Sequence, residues 1–181
     1  FVSGLPGVAK SYTVMQWVEE LKNSRRVIMC APTHVASMNM RCEGVETITI
    51  QKLFNRYLKY GAFEYGTLVI DEVSQVTTHL WHAIIPLSML GVQLICMGNP
   101  EDQLLSVQDS FMDQHLELDI SSGTLLKSLC GYNSLTLTEG KRSCKTLFDV
   151  YASCSSIGEM YPWSLTEMLC AAREAFPSQG F

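Results

Sequence analysis

A glycine-rich segment at residues 4–11 has the residue types and spacing of a phosphate-binding loop. It reads Gly-Leu-Pro-Gly-Val-Ala-Lys-Ser, which fits the pattern G-x-x-x-x-G-K-[ST] except that Ala9 stands in place of the second glycine. A glycine-rich turn between a strand and a helix lets backbone N–H groups converge on phosphate oxygens, aided by the positive helix N-terminus. Lys10 would then reach the β- and γ-phosphates of ATP, and the Ser11 hydroxyl would bind Mg²⁺. The predicted nucleotide contacts are Gly4, Pro6, Gly7, Val8, Ala9, Lys10, Ser11 and Tyr12.

Two adjacent carboxylates, Asp71 and Glu72, directly follow an apolar run at residues 67–70. Open α/β sheets bind their ligands at the carboxyl ends of the strands, which is where this pair is expected. Asp71 would bind Mg²⁺, and Glu72 would act as the general base that polarises an attacking water. Two acids at this place could also cap the next helix, which explains the pair but not its occurrence together with the glycine loop.

The elements that must position these groups alternate between strand and helix. This alternation predicts an α/β fold with a mainly parallel sheet and helices on both faces, and the glycine loop makes it one of the P-loop NTPase type. Short apolar or β-branched runs predict strands at residues 1–3, 26–30, 47–50, 66–70, 93–98 and 134–138. Helical spacing and capping residues predict helices from the glycine loop to about residue 22 and at residues 33–40, 51–60, 146–153 and 168–176.

The charge is distributed unevenly along the 181 residues, whose net charge is −5. Residues 1–60 carry 8 basic and 4 acidic side chains, a net charge of +4, whereas residues 61–181 have a net charge of −9. An apolar content of 47% argues against disorder, and the acidic total argues against a protein that binds nucleic acid by bulk charge. Any polyanion would have to be held by a local patch.

The cysteine content indicates a reducing compartment. Seven cysteines are an odd number, and they contain no Cys-x-x-Cys pair or other metal-binding spacing. We expect all of them to be reduced core residues of a soluble cytoplasmic or nuclear protein, or of one in a virus factory if the protein is viral. No apolar run has the length of a membrane span, so no membrane association is expected. The seven are Cys30, Cys42, Cys96, Cys130, Cys144, Cys154 and Cys170.

Six motifs in a fixed order resemble the first motor domain of a superfamily 1 DNA helicase of the RecD and Dda-like type, as found in phages and viruses. The resemblance extends from residue 4 to about residue 153 and implies ATP hydrolysis coupled to 5′-to-3′ translocation on single-stranded DNA and to duplex unwinding. The motifs are residues 4–11, Ala-Pro-Thr-His-Val-Ala at 31–36, Thr-Ile-Gln at 49–51, Val-Ile-Asp-Glu-Val-Ser at 69–74, Gly-Asn-Pro-Glu-Asp-Gln-Leu at 98–104 and Leu-Thr-Glu-Gly-Lys-Arg-Ser at 137–143.

The resemblance assigns a role to each motif. Gln103 would sense the γ-phosphate, and Arg142 would supply positive charge there as an arginine finger does. With Lys10 and Glu72 these residues form the expected catalytic set. The expected contacts to the nucleic-acid strand are Pro32, Thr33, His34, Thr49 and Gln51.

Three positions differ from the pattern of the family. Asn99 stands where the family has an aspartate, one extra residue precedes Gln103, and Gln51 stands where the family usually has a histidine. Two alternatives remain open. The Gly-Leu-Pro-Gly start of the loop also resembles an RNA helicase of the positive-strand RNA virus type, whereas Ala9, Asn99 and the extra residue before Gln103 fit a degenerate nucleotide-binding scaffold that does not turn over ATP.

The expected domain organisation is a single RecA-like ATPase domain over residues 1–181. We expect the chain to begin within its first strand and to lack the second RecA-like motor domain of the full-length protein. Since ATP binds between two such domains in these motors, residues 1–181 by themselves would be weakly active or inactive.

Overall fold

The computed structural model describes residues 1–99 and 124–156, together with residues 167, 170 and 173–175. The chain contacts divide it into two compact units. The first comprises Phe1–Gly4 and Lys10–Leu137, and the second comprises Leu5–Ala9 and Thr138–Phe181. The helix predicted at residues 168–176 lies largely outside the described residues.

Six strands of the first unit form one sheet in the order β3-β2-β4-β5-β1-β6. Every neighbouring pair is parallel, which confirms the parallel sheet predicted from the sequence. Strand β6 is shorter than predicted. The strands are β1 (Val2–Ser3), β2 (Val27–Ala31), β3 (Glu46–Thr49), β4 (Thr67–Ile70), β5 (Gln93–Gly98) and β6 (Leu135–Thr136).

Each predicted helix within the described residues is present. The segment predicted as a helix at residues 51–60 is a short α-helix followed by a π-helical turn, Phe54–Leu58. A 3₁₀ turn, Val73–Gln75, follows the two carboxylates. The α-helices are α1 (Lys10–Leu21), α2 (His34–Asn39), α3 (Ile50–Leu53), α4 (Thr78–Met89), α5 (Thr124–Leu129) and, in the second unit, α6 (Lys145–Ser156).

Helices α4 and α5 are not among the elements predicted from the sequence. In α4 apolar residues occur on more than one side, so the 3.6-residue period is weak, and Pro86 lies inside the helix. Its start is nevertheless marked, because the Thr77 hydroxyl accepts a hydrogen bond from the Leu80 N–H at 3.4 Å.

Successive strand residues face opposite sides of the sheet and enter two separate cores. In β4, Leu68 and Ile70 join the core that contains Trp81 of α4, whereas Val69 joins the core that contains Val14 of α1. This alternation is the two-residue period of a strand that is covered on both faces. The first unit therefore has helices on both faces of its sheet, as expected.

Four cysteines are buried and form no disulfide, as predicted: Cys30, Cys42, Cys96 and Cys130. The same prediction is wrong for Cys144 and Cys170, which are exposed. Cys144 lies between Ser143 and Lys145, so no apolar run draws it into a core. Among the residues that the structure describes, no helix is long and apolar enough to cross a membrane.

Candidate nucleotide site

The glycine-rich segment links the end of β1 to the start of α1, the strand-turn-helix context that a phosphate-binding loop requires. Gly4 has a φ of 142° and Gly7 a φ of 86°, which explains why glycine is needed at both positions. Ala9 also has a positive φ, 65°, although its Cβ disfavours this conformation by about 1 kcal/mol. The alanine that replaces the second glycine of the motif is therefore locally strained.

Lys10 and Ser11 begin helix α1 and face groups of the first unit. The Lys10 Nζ donates a hydrogen bond to the Gly4 carbonyl oxygen at 2.6 Å, so its ammonium lies over the start of the loop. The Ser11 Oγ donates to the Asp71 Oδ2 at 3.4 Å. The structure thus brings together the two predicted Mg²⁺ ligands, which are 60 residues apart in the chain.

The environment of Asp71 disfavours its charged form. Burial raises the pKa of this carboxyl, and the Glu72 N–H, the Ser11 hydroxyl and the Lys10 charge oppose the shift. The Asp71 Oδ1 accepts the backbone N–H of Glu72 at 2.9 Å, which orients the carboxylate at the carboxyl end of β4. A buried carboxylate of this kind is well suited to a bound cation.

Glu72 has a raised pKa and a strained backbone. Burial, followed by the charge of Asp71, raises the pKa of its carboxyl, the direction of shift that favours a general base. Its backbone is left-handed, with a φ of 49°, a conformation that costs energy in a residue with a Cβ. The two neighbouring carboxyls therefore differ in their surroundings, one held by a backbone N–H and the other in a strained turn.

The donor set fits Mg²⁺ that is bound together with phosphate. Among the described residues no cluster of three or more His, Cys, Asp or Glu side chains could hold a metal. One hydroxyl and one carboxylate, from Ser11 and Asp71, are hard oxygen donors, and Mg²⁺ is often bound by one or two such groups plus substrate phosphates.

In the second unit, the turn of the loop is hydrogen-bonded to the last motif. The Gly7 carbonyl oxygen accepts the N–H of Lys141 at 2.9 Å and that of Arg142 at 3.2 Å. A Cβ on Gly7 would lie 3.4 Å from the Arg142 Cβ, at the near limit of van der Waals contact, so the two backbones lie close together here. The Arg142 side chain is exposed.

Gly140 has a role that the sequence analysis missed. A Cβ on this residue would collide with the ring of Phe148 in α6. Gly140 therefore lets α6 pack directly on the backbone that leads into Arg142. Its position inside the motif at residues 137–143 was the sequence feature that could have indicated this role.

The predicted nucleic-acid contacts lie at the carboxyl ends of β2 and β3. Ala31 and Thr49 are register partners at that edge of the sheet, and Pro32 follows β2 directly. The Thr33 hydroxyl caps α2 by accepting the Ala36 N–H at 3.1 Å, and the Thr49 hydroxyl caps α3 by accepting the Lys52 N–H at 3.3 Å.

The other predicted site residues are distributed as follows. His34 and Gln51 are exposed, and so are Pro6 and Tyr12 of the nucleotide set, whereas Val8 is buried. The Tyr12 hydroxyl accepts a hydrogen bond from the Gln16 amide at 3.0 Å. Gln103 lies outside the described residues.

The six-stranded parallel sheet, the loop between β1 and α1 and the carboxylate pair after β4 define a P-loop NTPase of RecA-like fold. Residues 1–129 match the sequence model of an AAA domain family, and the chain belongs to that family. Membership implies nucleotide binding. A stretch of 104 residues is 29% identical to the movement protein TGB1 of beet necrotic yellow vein virus (isolate Japan/S), covering 57% of this chain and 26% of that protein.

Solved structures with the same fold include Pif1 helicases. A structure of two coordinating Pif1 helicases at forked double-stranded DNA has a TM-score of 0.64 and 21% identity, and covers 96% of this chain and 46% of that one. Bacteroides Pif1 bound to single-stranded DNA has a TM-score of 0.63 and 20% identity, with 96% and 45% covered. Pif1 from Candida albicans has a TM-score of 0.58 and 21% identity, with 86% and 39% covered.

These comparisons confirm the predicted RecA-like fold of the P-loop NTPase type. The present chain spans less than half the length of the Pif1 structures and about a quarter of the movement protein.

Proposed function

We propose that the chain is the ATP-hydrolysing motor domain of a superfamily 1 DNA helicase. In the full-length protein it couples ATP hydrolysis to translocation on single-stranded DNA, 5′ to 3′, and to unwinding of the duplex. The observation that carries the proposal is the approach of Ser11 to Asp71, at 3.4 Å, beside Lys10 and Glu72.

The chain's own groups account for the chemistry at this place. Lys10 exchanges the Gly4 carbonyl for phosphate oxygens and neutralises the charge that develops on them. Glu72 accepts the proton of the attacking water. Ser11 and Asp71 would hold Mg²⁺, which would supply positive charge to balance the phosphates. The remaining loop contacts are Gly4, Pro6, Gly7, Val8, Ala9 and Tyr12.

We assign Gln103 and Arg142 to the γ-phosphate, following the resemblance of their motifs. The backbone bond from Arg142 to the Gly7 carbonyl supports this assignment, because it ties the arginine to the loop that cradles phosphate. The exposed guanidinium can then supply positive charge in the transition state.

The nucleic-acid strand is proposed to bind at the carboxyl ends of β2 and β3, through Pro32, Thr33, His34, Thr49 and Gln51. Exposure of His34 and Gln51 and the register of Ala31 with Thr49 support a shared surface. DNA is favoured because one of the similar Pif1 structures is bound to single-stranded DNA. RNA is the alternative substrate, since the Gly-Leu-Pro-Gly start of the loop also resembles RNA helicases of the positive-strand RNA virus type.

Residues 1–181 are proposed to represent one RecA-like domain that works with a second one in the full-length chain. The length of the Pif1 structures, more than twice the part matched here, supports this arrangement. Closure of the cleft between two such domains would convert ATP turnover into movement.

We place the action of the protein in a reducing compartment such as the cytoplasm or nucleus, or a virus factory. The buried and unbonded thiols of Cys30, Cys42, Cys96 and Cys130 support this assignment. Such compartments keep thiols reduced.

The test is phosphate release by the full-length protein, with and without matched DNA and RNA oligonucleotides. We expect single-stranded DNA to stimulate release, and Lys10→Ala to lower the rate about 100-fold. Glu72→Gln should lower the rate at least about 100-fold while nucleotide binding is retained, because it removes only the base. Glu20→Gln, at an exposed position of α1, is the matched control.

Three results would contradict the proposal. Stimulation by RNA alone would replace DNA with RNA as the substrate. Nucleotide binding without any turnover would indicate a scaffold instead of a motor. A rate that Lys10→Ala leaves unchanged would mean that the loop is not the catalytic site.

A further inference from the structure

Three basic side chains lie over three tyrosine rings in the first unit. Two of the pairs are joined by the contact of the Tyr57 and Tyr65 rings, whose centroids are 5.4 Å apart, and the third follows Tyr57 closely in the chain. None of the proposed roles uses these six residues, which we call the basic-aromatic surface. The pairs, with distances to the ring centroids, are Arg26 over Tyr65 at 4.9 Å, Arg56 over Tyr57 at 5.1 Å and Lys59 over Tyr60 at 5.5 Å.

The basic-aromatic surface begins at the amino ends of the strands, at the opposite end of the sheet from Asp71. Arg26 immediately precedes β2, Tyr65 precedes β4 by two residues, and Glu46 begins β3. A strand of five residues such as β2 spans roughly 15 Å. Asp71 and this surface therefore lie at separate places in the first unit.

The acids within this surface are already engaged. Arg56 donates to the Glu46 Oε1 at 2.7 Å, and the hydroxyls of Tyr57 and Tyr65 both donate to the Glu46 Oε2. Arg26 binds Glu64 at 2.9 Å. These carboxylates are balanced by their partners and repel an incoming anion less than isolated acids would.

The surface is positive although the protein is acidic. Two further basic residues flank the three pairs, Arg25 next to Arg26 and Lys52 near enough to Glu46 to lower the pKa of that carboxyl. The five basic side chains and the two acids leave a net charge of +3, within a chain whose net charge is −5. A polyanion is attracted here and repelled by most of the rest of the chain.

The rings determine which polyanion fits. The Tyr60 side chain is 74% exposed and can stack with a flat group, and the Arg26 and Arg56 guanidinium groups are planar. Single-stranded nucleic acid offers unstacked bases to such rings and phosphates to the basic groups, whereas a duplex hides the faces of its bases.

We propose that the basic-aromatic surface binds single-stranded nucleic acid. This contact is distinct from the one assigned to the carboxyl ends of β2 and β3, and it does not require nucleotide hydrolysis. Two contacts at opposite ends of one sheet would let the domain hold the strand at a place that the ATP cycle does not directly rearrange.

The test is a fluorescence anisotropy titration of the full-length protein with a short labelled oligothymidylate at several salt concentrations. Tyr60→Ala should weaken binding about 10-fold by removing one stacking ring. Lys59→Glu should weaken binding and lower the slope of log K against log salt by about 0.7 or more. The matched controls are Tyr132→Ala, at a ring that is 73% exposed, and Lys127→Glu, and both should bind as the unchanged protein does.

Two results would overturn the proposal. In the first, Tyr60→Ala and Lys59→Glu bind the oligonucleotide as tightly as the unchanged protein. In the second, Lys59→Glu weakens binding of polyglutamate and oligothymidylate equally while Tyr60→Ala changes neither, which would identify a site for acidic peptides.

The proposed motor function is tested separately, because neither variant should change ATP hydrolysis in the absence of nucleic acid. If the protein hydrolyses no ATP but Tyr60→Ala weakens oligonucleotide binding, the proposed motor function is wrong. The proposal for the basic-aromatic surface is then still supported.

Discussion

The backbone N–H of Arg142 donates a hydrogen bond to the Gly7 carbonyl oxygen at 3.2 Å, next to a 2.9 Å bond from Lys141 to the same oxygen. One carbonyl at the turn of the glycine loop thus holds the segment that carries the proposed arginine finger. The two backbones lie close together, since a Cβ added to Gly7 would come within 3.4 Å of the Arg142 Cβ. A substitution at Gly7 should therefore change the position of the Arg142 backbone.

Gly7→Ala should destabilise the protein through two effects. Its φ of 86° is unfavourable for alanine, and the new Cβ would lie 3.4 Å from the Arg142 Cβ. We expect a loss of about 2 kcal/mol in the free energy of unfolding, measured by urea denaturation. Gly44→Ala is the matched control, because its φ is 76° but nothing lies within 4 Å of its added Cβ. A loss no larger than that of the control would show that the approach to Arg142 is not tight.

Ala9→Gly should stabilise the protein, which is unusual for a change to glycine. At a φ of 65° the alanine Cβ is strained, and its removal should raise the free energy of unfolding by about 1 kcal/mol. Ala83→Gly, inside helix α4, should have the opposite sign and lower it by about 1 kcal/mol. Urea denaturation of both variants measures the two changes in the free energy of unfolding. A lower free energy of unfolding in Ala9→Gly would show that Ala9 is not strained.

Asp71→Asn should raise the stability of the protein at pH 7 and abolish its ATP hydrolysis. Burial raises the pKa of Asp71 above that of the unfolded chain, so the folded protein binds a proton more tightly than the unfolded one does. The contribution of this group to stability is therefore fully present below the ordinary carboxyl pKa and is lost as the pH rises through the raised value. The variant should unfold at a higher temperature than the unchanged protein at pH 7, while ATP hydrolysis is abolished.

The pH dependence supplies the control for that prediction. As the pH is lowered toward about 4, Asp71 becomes protonated and the difference in melting temperature should shrink toward zero. The exposed variant Glu20→Gln should show no comparable pH-dependent gain. An Asp71→Asn variant that is less stable at pH 7 would mean that the interactions of the carboxylate outweigh its burial.

Thr33→Ala should remove the cap of helix α2. The Thr33 hydroxyl accepts the Ala36 N–H at 3.1 Å, and loss of such a cap costs about 1 kcal/mol in the free energy of unfolding. Thr33→Ser keeps the accepting oxygen and should lose only a few tenths of a kcal/mol. Equal losses in the two variants, measured by urea denaturation, would show that the hydroxyl does not act as the cap.

Much of the fold follows from local patterns in the sequence. The helix that begins near Thr33, the strand and the helix on either side of the glycine loop, and the run before Asp71 were all predicted, because each depends on residues within a few positions of one another. Helix α4 was not predicted, since its apolar residues lack a clear helical period and Pro86 interrupts them. The exposure of Cys144 was missed because residue type by itself does not report which neighbours cover a side chain.

The sequence by itself determined the candidate chemistry: a lysine and a serine after a glycine turn, and two carboxylates at the end of an apolar strand. The tertiary structure decided which of these groups meet, and it brought Ser11 to Asp71 across 60 residues of chain. It also decided the bond between Gly7 and Arg142 and the pairing of Arg26 with Tyr65. The physical reason is that the type of a secondary-structure element depends on neighbouring residues along the chain. Contacts between residues that are distant in sequence depend instead on the order in which the parallel strands lie in the sheet.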